Sequence, residues 1–226
     1  MVSKKSAVNK SRITNGSSFI RTRENMAEFS NATKAGKLLR RSMSALLRTA
    51  KDSLLTSRLM KAMHDVIKSD TASARGSRNV SKGNIELLKG FDFNANAPFS
   101  ATLTAPFRAD IDRSSGLVKI NMPAFVPADM IKAPEGATHF KIVSGGAVIR
   151  FSDETSVVDI QESAILPWDN KPTAVINLAN SLPVDVPDPI FQLLGIQFYQ
   201  QVNGDYYSLS NGAYNALSLV GILKGE

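Results

Sequence analysis

The sequence has no cysteine, one tryptophan and only two histidines among its 226 residues. The absence of cysteine excludes disulfides, thiolate metal ligands and cysteine nucleophiles, and it leaves the redox compartment open. His64 and His139 each lack a second histidine at metal-ligand spacing, so the common zinc patterns are missing as well. We therefore interpret both histidines as structural, and we expect no metal and no cofactor.

Long apolar runs are also missing, and none approaches the roughly 18 residues that a helix needs to cross a bilayer. The N-terminus is positively charged, but the apolar run of about 7–15 residues that completes a signal peptide does not follow. We expect no transmembrane segment and synthesis in the cytoplasm. Export by a non-standard route and release inside a virion or another particle are left open.

Motifs for catalysis and nucleotide binding are absent, since the chain has no G-x-S-x-G elbow, P-loop or G-x-G-x-x-G. Residues 109–116 (ADIDRSSG) contain two nearby carboxylates, but Arg113 and Ser114 occupy positions where a calcium loop needs an oxygen ligand and a glycine. This pattern favours a hairpin with Asp110 and Asp112 on its solvent face. No residue set identifies a reaction, so we expect a protein that is not an enzyme.

Charge is divided unequally along the chain. Residues 1–90 hold 19 Lys and Arg against 6 Asp and Glu (+13), whereas residues 91–226 hold 8 against 14 (−6), which together give +7. A basic segment of this kind can bind phosphate, or it can dock on the acidic part of another subunit. The predicted basic contact surface consists of Lys4, Lys5, Lys10, Arg12, Arg21, Arg23, Lys37, Arg40, Arg41 and Arg48.

The N-terminal third is predicted to be an arm followed by helix. Residues 1–21 are rich in Ser, Asn and Lys and indicate a basic, extended arm. Residues 22–69 have apolar positions at steps of three and four, which predicts an amphipathic helix capped by Thr22, with Met26, Phe29 and Leu39 buried. A break near residues 30–36 or 51–57 would make it a helical hairpin, and Gly36 is the weakest helical position.

Residues 70–89 are a polar, Gly-containing connection. Within it, Gly76 and Gly83 could direct backbone amides at a phosphate, and a plain linker is the favoured alternative.

Residues 90–226 read as short β-segments separated by turns, including segments at 101–110, 138–143 and 147–151. Asn203-Gly204 and Asn211-Gly212 predict two tight turns in a C-terminal three-stranded meander. Its first strand should point Leu194, Ile196, Phe198 and Val202 one way, and Gln197, Tyr199 and Gln201 the other. Four tyrosines near it could line a binding face or form cross-strand pairs: Tyr199, Tyr206, Tyr207 and Tyr214. The predicted class is α+β, with an antiparallel β-sandwich of immunoglobulin-like or jelly-roll type over residues 90–226.

Four stretches carry a family resemblance: RTRENMAEFSNATKAGKLLRR (21–41), RGSRNV (75–80), LLKGFDFN (87–94) and IQFYQQVNGDYYSLSNGAYNALSLVGI (196–222). From about residue 20 onward the chain resembles a family of uncharacterised bacterial proteins. The resemblance implies no activity, ligand or residue role. In that family a strand-like segment often precedes the helix, and here the Lys- and Ser-rich arm stands in its place.

These observations predict a non-enzymatic structural protein that assembles into a multi-subunit particle, such as a virion component, through its basic arm and helix. Its partners would be copies of itself or other particle proteins. One alternative is a β-sandwich binding module for a protein or glycan. Another is a nucleic-acid-associated protein that uses residues 1–61 without sequence specificity, because exposed aromatic residues for base stacking are scarce there.

Overall fold

A computed structural model describes residues 10–226 as an α+β protein with one long helix and two antiparallel sheets. Lys4 and Lys5 of the predicted arm lie outside the described residues. From Lys10 the arm is helical rather than extended. The helices are α1 (Lys10–Asn15), α2 (Ile20–Ser42), α3 (Ser44–Leu47), α4 (Leu55–Lys68), α5 (Phe99–Thr102) and α6 (Pro127–Met130), with 3₁₀ turns at Ser17–Phe19, Ile85–Leu88 and Leu209–Gly212.

The strands form a three-stranded sheet and a six-stranded sheet. They are β1 (Arg108–Asp112), β2 (Leu117–Met122), β3 (His139–Arg150), β4 (Thr155–Glu162), β5 (Leu166–Pro167), β6 (Ile176–Ser181), β7 (Ile190–Val202), β8 (Asp205–Ser208) and β9 (Ala216–Leu223). The smaller sheet has the order β1-β2-β6. The larger follows β4-β3-β7-β8, with β5 also paired to β3 and β9 also paired to β7. The two sheets pack face to face, which is compatible with the predicted sandwich.

The larger sheet is the middle layer of three. One core joins α2, α3 and α4 to the side chains of Val143, Ala147, Phe191 and Leu193. A second core joins the opposite side of the same strands, including Phe140, Ile142, Leu194 and Ile196, to the smaller sheet. Alternation along β3 and β7 therefore supplies apolar side chains to both faces, as a sheet covered on both sides requires.

Strand β3 runs unbroken through Gly145 and Gly146, where the sequence predicted a division into two strands. A Cβ at Gly145 would lie 2.7 Å from Cδ1 of Leu46, and one at Gly146 would lie 3.0 Å from Cβ of Asn180. Both glycines thus allow a neighbouring layer to approach the backbone closely, and neither makes a turn.

The helical segment is a hairpin, and its break lies between Leu47 and Leu55. The prediction that Gly36 is the weak point was wrong. Gly36 is buried inside α2, where a Cβ would lie 3.8 Å from Leu59 and Met63, a distance of ordinary contact, so the position packs against α4 and does not break the helix. The helix begins at Ile20 without a side-chain cap, so the capping role predicted for Thr22 was also wrong.

The buried side of α2 differs from the predicted one. Ala32, Ala35 and Leu39 are buried, whereas Met26 and Phe29 are 59% and 51% exposed. Met26 and Leu39 are thirteen residues apart, which places them about 140° apart around a helix of 3.6 residues per turn. The predicted stripe therefore joined two different sides of one helix.

The C-terminal strands confirm the predicted hairpin turn at Asn203-Gly204. The turn predicted at Asn211-Gly212 is instead the end of the 3₁₀ turn Leu209–Gly212. Asn203 (φ 53°) and Gly204 (φ 93°) make the β7–β8 hairpin. Strand β9 then pairs with β7 rather than with β8, so the three strands are not a simple meander. The predicted strand at 101–110 is instead the short helix α5 followed by β1, which begins at Arg108.

Candidate interaction surfaces

The outer face of α2 consists of Met26, Phe29, Lys34, Lys37, Arg40 and Arg41. These residues recur at steps of one to five on the side of the helix turned away from Ala32, Ala35 and Leu39. Lys34, Lys37 and Arg41 are exposed, and Arg40 is half-buried. The face therefore combines two large apolar side chains with four positive charges.

Carboxylates do not neutralise this face in the part of the chain that the structure describes, since none of its four basic residues forms an ion pair there. Arg41 donates through Nη2 to the backbone carbonyl of Glu154 at 2.7 Å. That contact joins α2 to the β3–β4 turn and leaves the positive charge uncompensated.

Other members of the predicted basic surface have separate positions. Arg23 donates to the carbonyls of Ile13 and Gly16 at 2.9 and 2.8 Å, so it fastens the end of α1 to α2. Arg12, Arg21 and Arg48 are exposed. Lys10 begins α1. The structure thus brings Lys37, Arg40 and Arg41 together on one face, with Lys34 added to them, and assigns Arg23 a structural contact.

Two buried carboxylates organise the loop that follows α4. Asp70 accepts hydrogen bonds from the amides of Ala72, Ser73 and Asn79. Burial by itself would raise the pKa of Asp70, but hydrogen bonds, beginning with that from the Ser73 side chain, lower it overall.

Glu28 of α2 holds the same loop by accepting from the amide of Gly76 at 2.9 Å. The amide of Gly83 donates to the carbonyls of Asn79 and Val80. Both amides considered for phosphate binding are therefore used within the chain. Residues 70–89 are a packed connection, with Val80, Ile85 and Leu88 buried.

The β1–β2 turn accounts for the two nearby carboxylates of residues 109–116. Asp112 accepts from the hydroxyls of Ser114 and Ser115 at 2.7 and 2.6 Å. The Ser115 bond, followed by the Ser114 bond, lowers the pKa of Asp112 to about 2. Asp110 and Asp112 are exposed, as predicted for this turn. Across residues 10–226 no group of three or more His, Asp or Glu side chains is arranged to hold a metal ion.

A cleft of about 720 Å³ lies between residues 80–86, the β3–β4 turn and the C-terminal residues. Its carboxylates include Asp188, which pairs with Arg150 at 2.9 Å, and Glu226, which pairs with Arg113 at 3.7 Å. Both carboxylates are therefore already engaged in ion pairs.

The sheet-end face is a second surface, in which the buried Gln197 lies among the partly or fully exposed side chains of His139, Lys141, Tyr199, Gln201 and Tyr206. These residues are cross-strand partners: His139 lies opposite Tyr199, Lys141 opposite Gln197, and Gln201 opposite Tyr206. They continue the side of the larger sheet that the helices cover further along. The helical layer ends beside them at Thr49, whose Oγ1 accepts from Nε2 of Gln197 at 3.0 Å.

Hydrogen bonds and ring contacts fix the side chains of the sheet-end face. The Tyr199 hydroxyl donates to Oε1 of Gln197 at 2.8 Å, and the His139 and Tyr206 rings meet edge to face at 4.8 Å. Nζ of Lys141 lies 5.6 Å from the centre of the Tyr199 ring and 2.7 Å from Oε2 of Glu162. Burial would lower the pKa of Lys141, but the Glu162 hydrogen bond, with Tyr199, raises it overall. Lys141 is therefore a paired cation.

Sequence reasoning found only part of this face. It predicted that Gln197, Tyr199 and Gln201 share one side of their strand, and they do. It interpreted His139 as structural and did not connect it with the tyrosines. Of the four tyrosines, Tyr199 and Tyr206 belong to the face. The neighbouring Tyr207 points to the opposite side of β8, and Tyr214 lines a separate small pocket with residues 132–135.

Comparison of the chain with protein-family models, with curated proteins and with solved structures gives no match. Among the residues that the structure covers, no helix is long and apolar enough to cross a membrane.

Proposed function

We propose that the protein is a non-enzymatic structural component that assembles with copies of itself, or with other proteins of a particle such as a virion, through the outer face of α2 and the basic arm. One observation carries the proposal: Met26 and Phe29 are both more than half exposed, beside positive charges that have no carboxylate partner within residues 10–226. Exposed large apolar side chains within a polar surround are typical of protein–protein contacts.

Charge supports a head-to-tail contact between copies. Residues 91–226 carry 8 Lys and Arg against 14 Asp and Glu, so the β-sheet part is net acidic (−6) and complements the basic helical part of a neighbouring copy. Such complementarity favours encounter and fixes orientation, whereas Met26 and Phe29 would supply the buried apolar area. A contact between unlike surfaces produces rings or open chains of subunits rather than a symmetric dimer.

The test is the mass of the full chain in solution, measured by size-exclusion chromatography with light scattering over a range of concentrations. We expect oligomers for the native chain and a shift to monomer for Met26→Ser/Phe29→Ser. Leu54→Ser/Val184→Ser is the matched control, because Leu54 and Val184 are similarly exposed and lie elsewhere. A native chain that remains monomeric at high concentration would overturn the proposal.

Charge reversal tests the electrostatic part separately. Lys34→Glu/Lys37→Glu should weaken assembly, with a larger effect at low salt because exposed charges are screened over about 10 Å at 0.1 M salt. Lys61→Glu/Lys68→Glu on α4 has the same charge change, and both lysines are exposed, so it serves as the control. Equal effects of the two variants would mean that net charge, rather than the outer face of α2, governs assembly.

The type of sandwich is part of the same proposal. We propose an immunoglobulin-like or jelly-roll arrangement, and the antiparallel pairing of strands distant in sequence, β2 with β6 and β3 with β7, supports it.

A further inference from the structure

The sheet-end face is rigid as well as open. The opposite sides of the same strand segments hold Phe140, Ile142, Ile196 and Phe198, all fully buried in the second core. β3 and β7 cannot move here without disturbing that core, so the backbone positions of His139 and Tyr199 are held in place. Tyr206 is on the exposed strand β8; it is 43% exposed, and His139 and Tyr199 are half-buried beside it. The result is a row of aromatic rings that solvent can reach.

Positive charge lies at the border of this row. Thr49 contacts Gln197, and its neighbours along the chain, Arg48 and Lys51, are exposed and form no ion pair with any described residue. Asp52, the next acidic residue, is engaged by Arg58. Lys141 is held by Glu162. Arg48 and Lys51 are therefore the unpaired cations on the helical connection that meets one edge of the sheet-end face through the Thr49–Gln197 contact.

We propose that the sheet-end face binds single-stranded nucleic acid, with bases stacked on Tyr199, Tyr206 and His139 and phosphates contacted by Arg48 and Lys51. Sites of this chemistry combine aromatic rings, which accept the face of any base, with cations that follow the backbone. A duplex does not offer this contact, because its bases are already stacked on one another and their faces cannot be reached by the rings. The glutamine and tyrosine side chains of the face would also accept a sugar. A neutral saccharide, however, would gain no binding energy from the charges of Arg48 and Lys51.

The binding measurement uses the full chain and a fluorescently labelled oligo-dT or oligo-rU of about 12 nucleotides, within the site size of single-strand-binding domains that stack bases. Fluorescence anisotropy at low and moderate salt gives the affinity and its salt dependence. Each ring that stacks a base is expected to be worth about a tenfold change in affinity. Tyr199→Leu/Tyr206→Leu should therefore weaken binding by roughly 100-fold while retaining apolar volume.

Single and double substitutions distinguish base stacking on the rings from general electrostatic attraction to the oligonucleotide. Tyr206→Phe should retain binding, because the ring remains. Tyr207→Ala is the matched control, since Tyr207 is 57% exposed on the same strand but faces the other way. Arg48→Glu/Lys51→Glu should weaken binding and flatten the salt dependence by about 1.4 in log–log slope, at about 0.7 per phosphate contact. Lys132→Glu/Lys171→Glu makes an equal charge change in the β-sheet part, and it should leave both the affinity and the salt dependence unchanged.

Three results would overturn the proposal. The first is absence of oligonucleotide binding at low salt. The second is unchanged binding by the Tyr199→Leu/Tyr206→Leu variant, when circular dichroism and thermal melting show that the variant is folded like the native chain. The third is binding of neutral oligosaccharides, but not of oligonucleotides, that this variant abolishes. The Met26→Ser/Phe29→Ser variant tests assembly on a different face, so failure of either proposal leaves the other measurable.

Discussion

At the scale of single residues, the β1–β2 turn shows how hydroxyl groups stabilise a charged form. Asp112 is exposed, yet its carboxylate accepts from two serines in its own turn. Its pKa of about 2 is below the ordinary 3.8, so the proton binds more tightly to the unfolded chain. This contribution to stability is present above about pH 4 and is lost as the pH falls through about 2.

Ser115→Ala removes the larger of the two causes, so the pKa of Asp112 should rise toward 3.8. Carboxyl chemical shifts followed by NMR titration measure the change directly. Ser100→Ala, at an exposed serine outside the turn, should leave the Asp112 titration as it is. An unchanged pKa in Ser115→Ala would mean that the Ser114 hydroxyl alone is sufficient.

Sequence reasoning succeeds at this scale where the interaction is local. Asn203-Gly204 adopts positive φ in a hairpin, as its composition predicts, and the turn at Ser114 and Ser115 was also predicted. Gly145-Gly146 has a similar composition but lies inside a strand, because Leu46 and Asn180 pack against it from two other layers. The contacts that decide its conformation are distant in sequence, so the local pattern cannot reveal them.

At the scale of elements, α2 and α4 pack closely at Gly36. A Cβ at this position would make ordinary contacts of 3.8 Å with Leu59 and Met63, and the residue is in the interior of a helix. Glycine costs a helix interior roughly 0.5–1 kcal/mol relative to alanine.

Gly36→Ala should therefore raise the free energy of unfolding by about 0.5–1 kcal/mol. Gly36→Leu should lower it, because the larger side chain would separate the two helices. Urea unfolding followed by circular dichroism measures both. A decrease for Gly36→Ala would mean that the crossing is tighter than these distances indicate.

Element boundaries and exposed faces were the least predictable features of the helical segment. The hairpin and its later break were among the predicted alternatives, but the predicted burial of Met26 and Phe29 was wrong. Three of the six buried residues of α2 are small, namely Ala32, Ala35 and Gly36, and a hydrophobicity pattern gives them little weight. The sheet-end face also depends on where the helical layer stops, at Thr49, which pairs with a residue 148 positions away.

At the scale of the whole molecule, the helical hairpin and the larger sheet share one core. Leu39, Leu59 and Met63 of the helices are fully buried, as are Phe191 and Leu193 of the sheet. Residues 90–226 by themselves would present that apolar side of the sheet to water, which is unfavourable at about 25 cal/mol per Å².

We expect the full chain to unfold in one cooperative transition, measured by calorimetry and by urea unfolding. A chain beginning at Gly90 should bind hydrophobic dyes and aggregate. A chain beginning at Ile20 should remain folded, because the shared core begins at Ala32. Separate transitions for the helices and the sheets in the full chain would contradict a shared core.

The middle position of β7 has a consequence for biosynthesis. β7 joins β3 to β9, and the helices pack across all three strands, so the larger sheet is complete only when residue 223 is available. A ribosome that has produced the hairpin and β3 has not yet produced β7 and β9, which supply the rest of the surface that the hairpin covers. The nascent chain must therefore keep its first apolar surfaces from aggregating until residue 223 has been synthesised, as expected for folds with many contacts distant in sequence. A period in which chaperones would bind follows from this strand order.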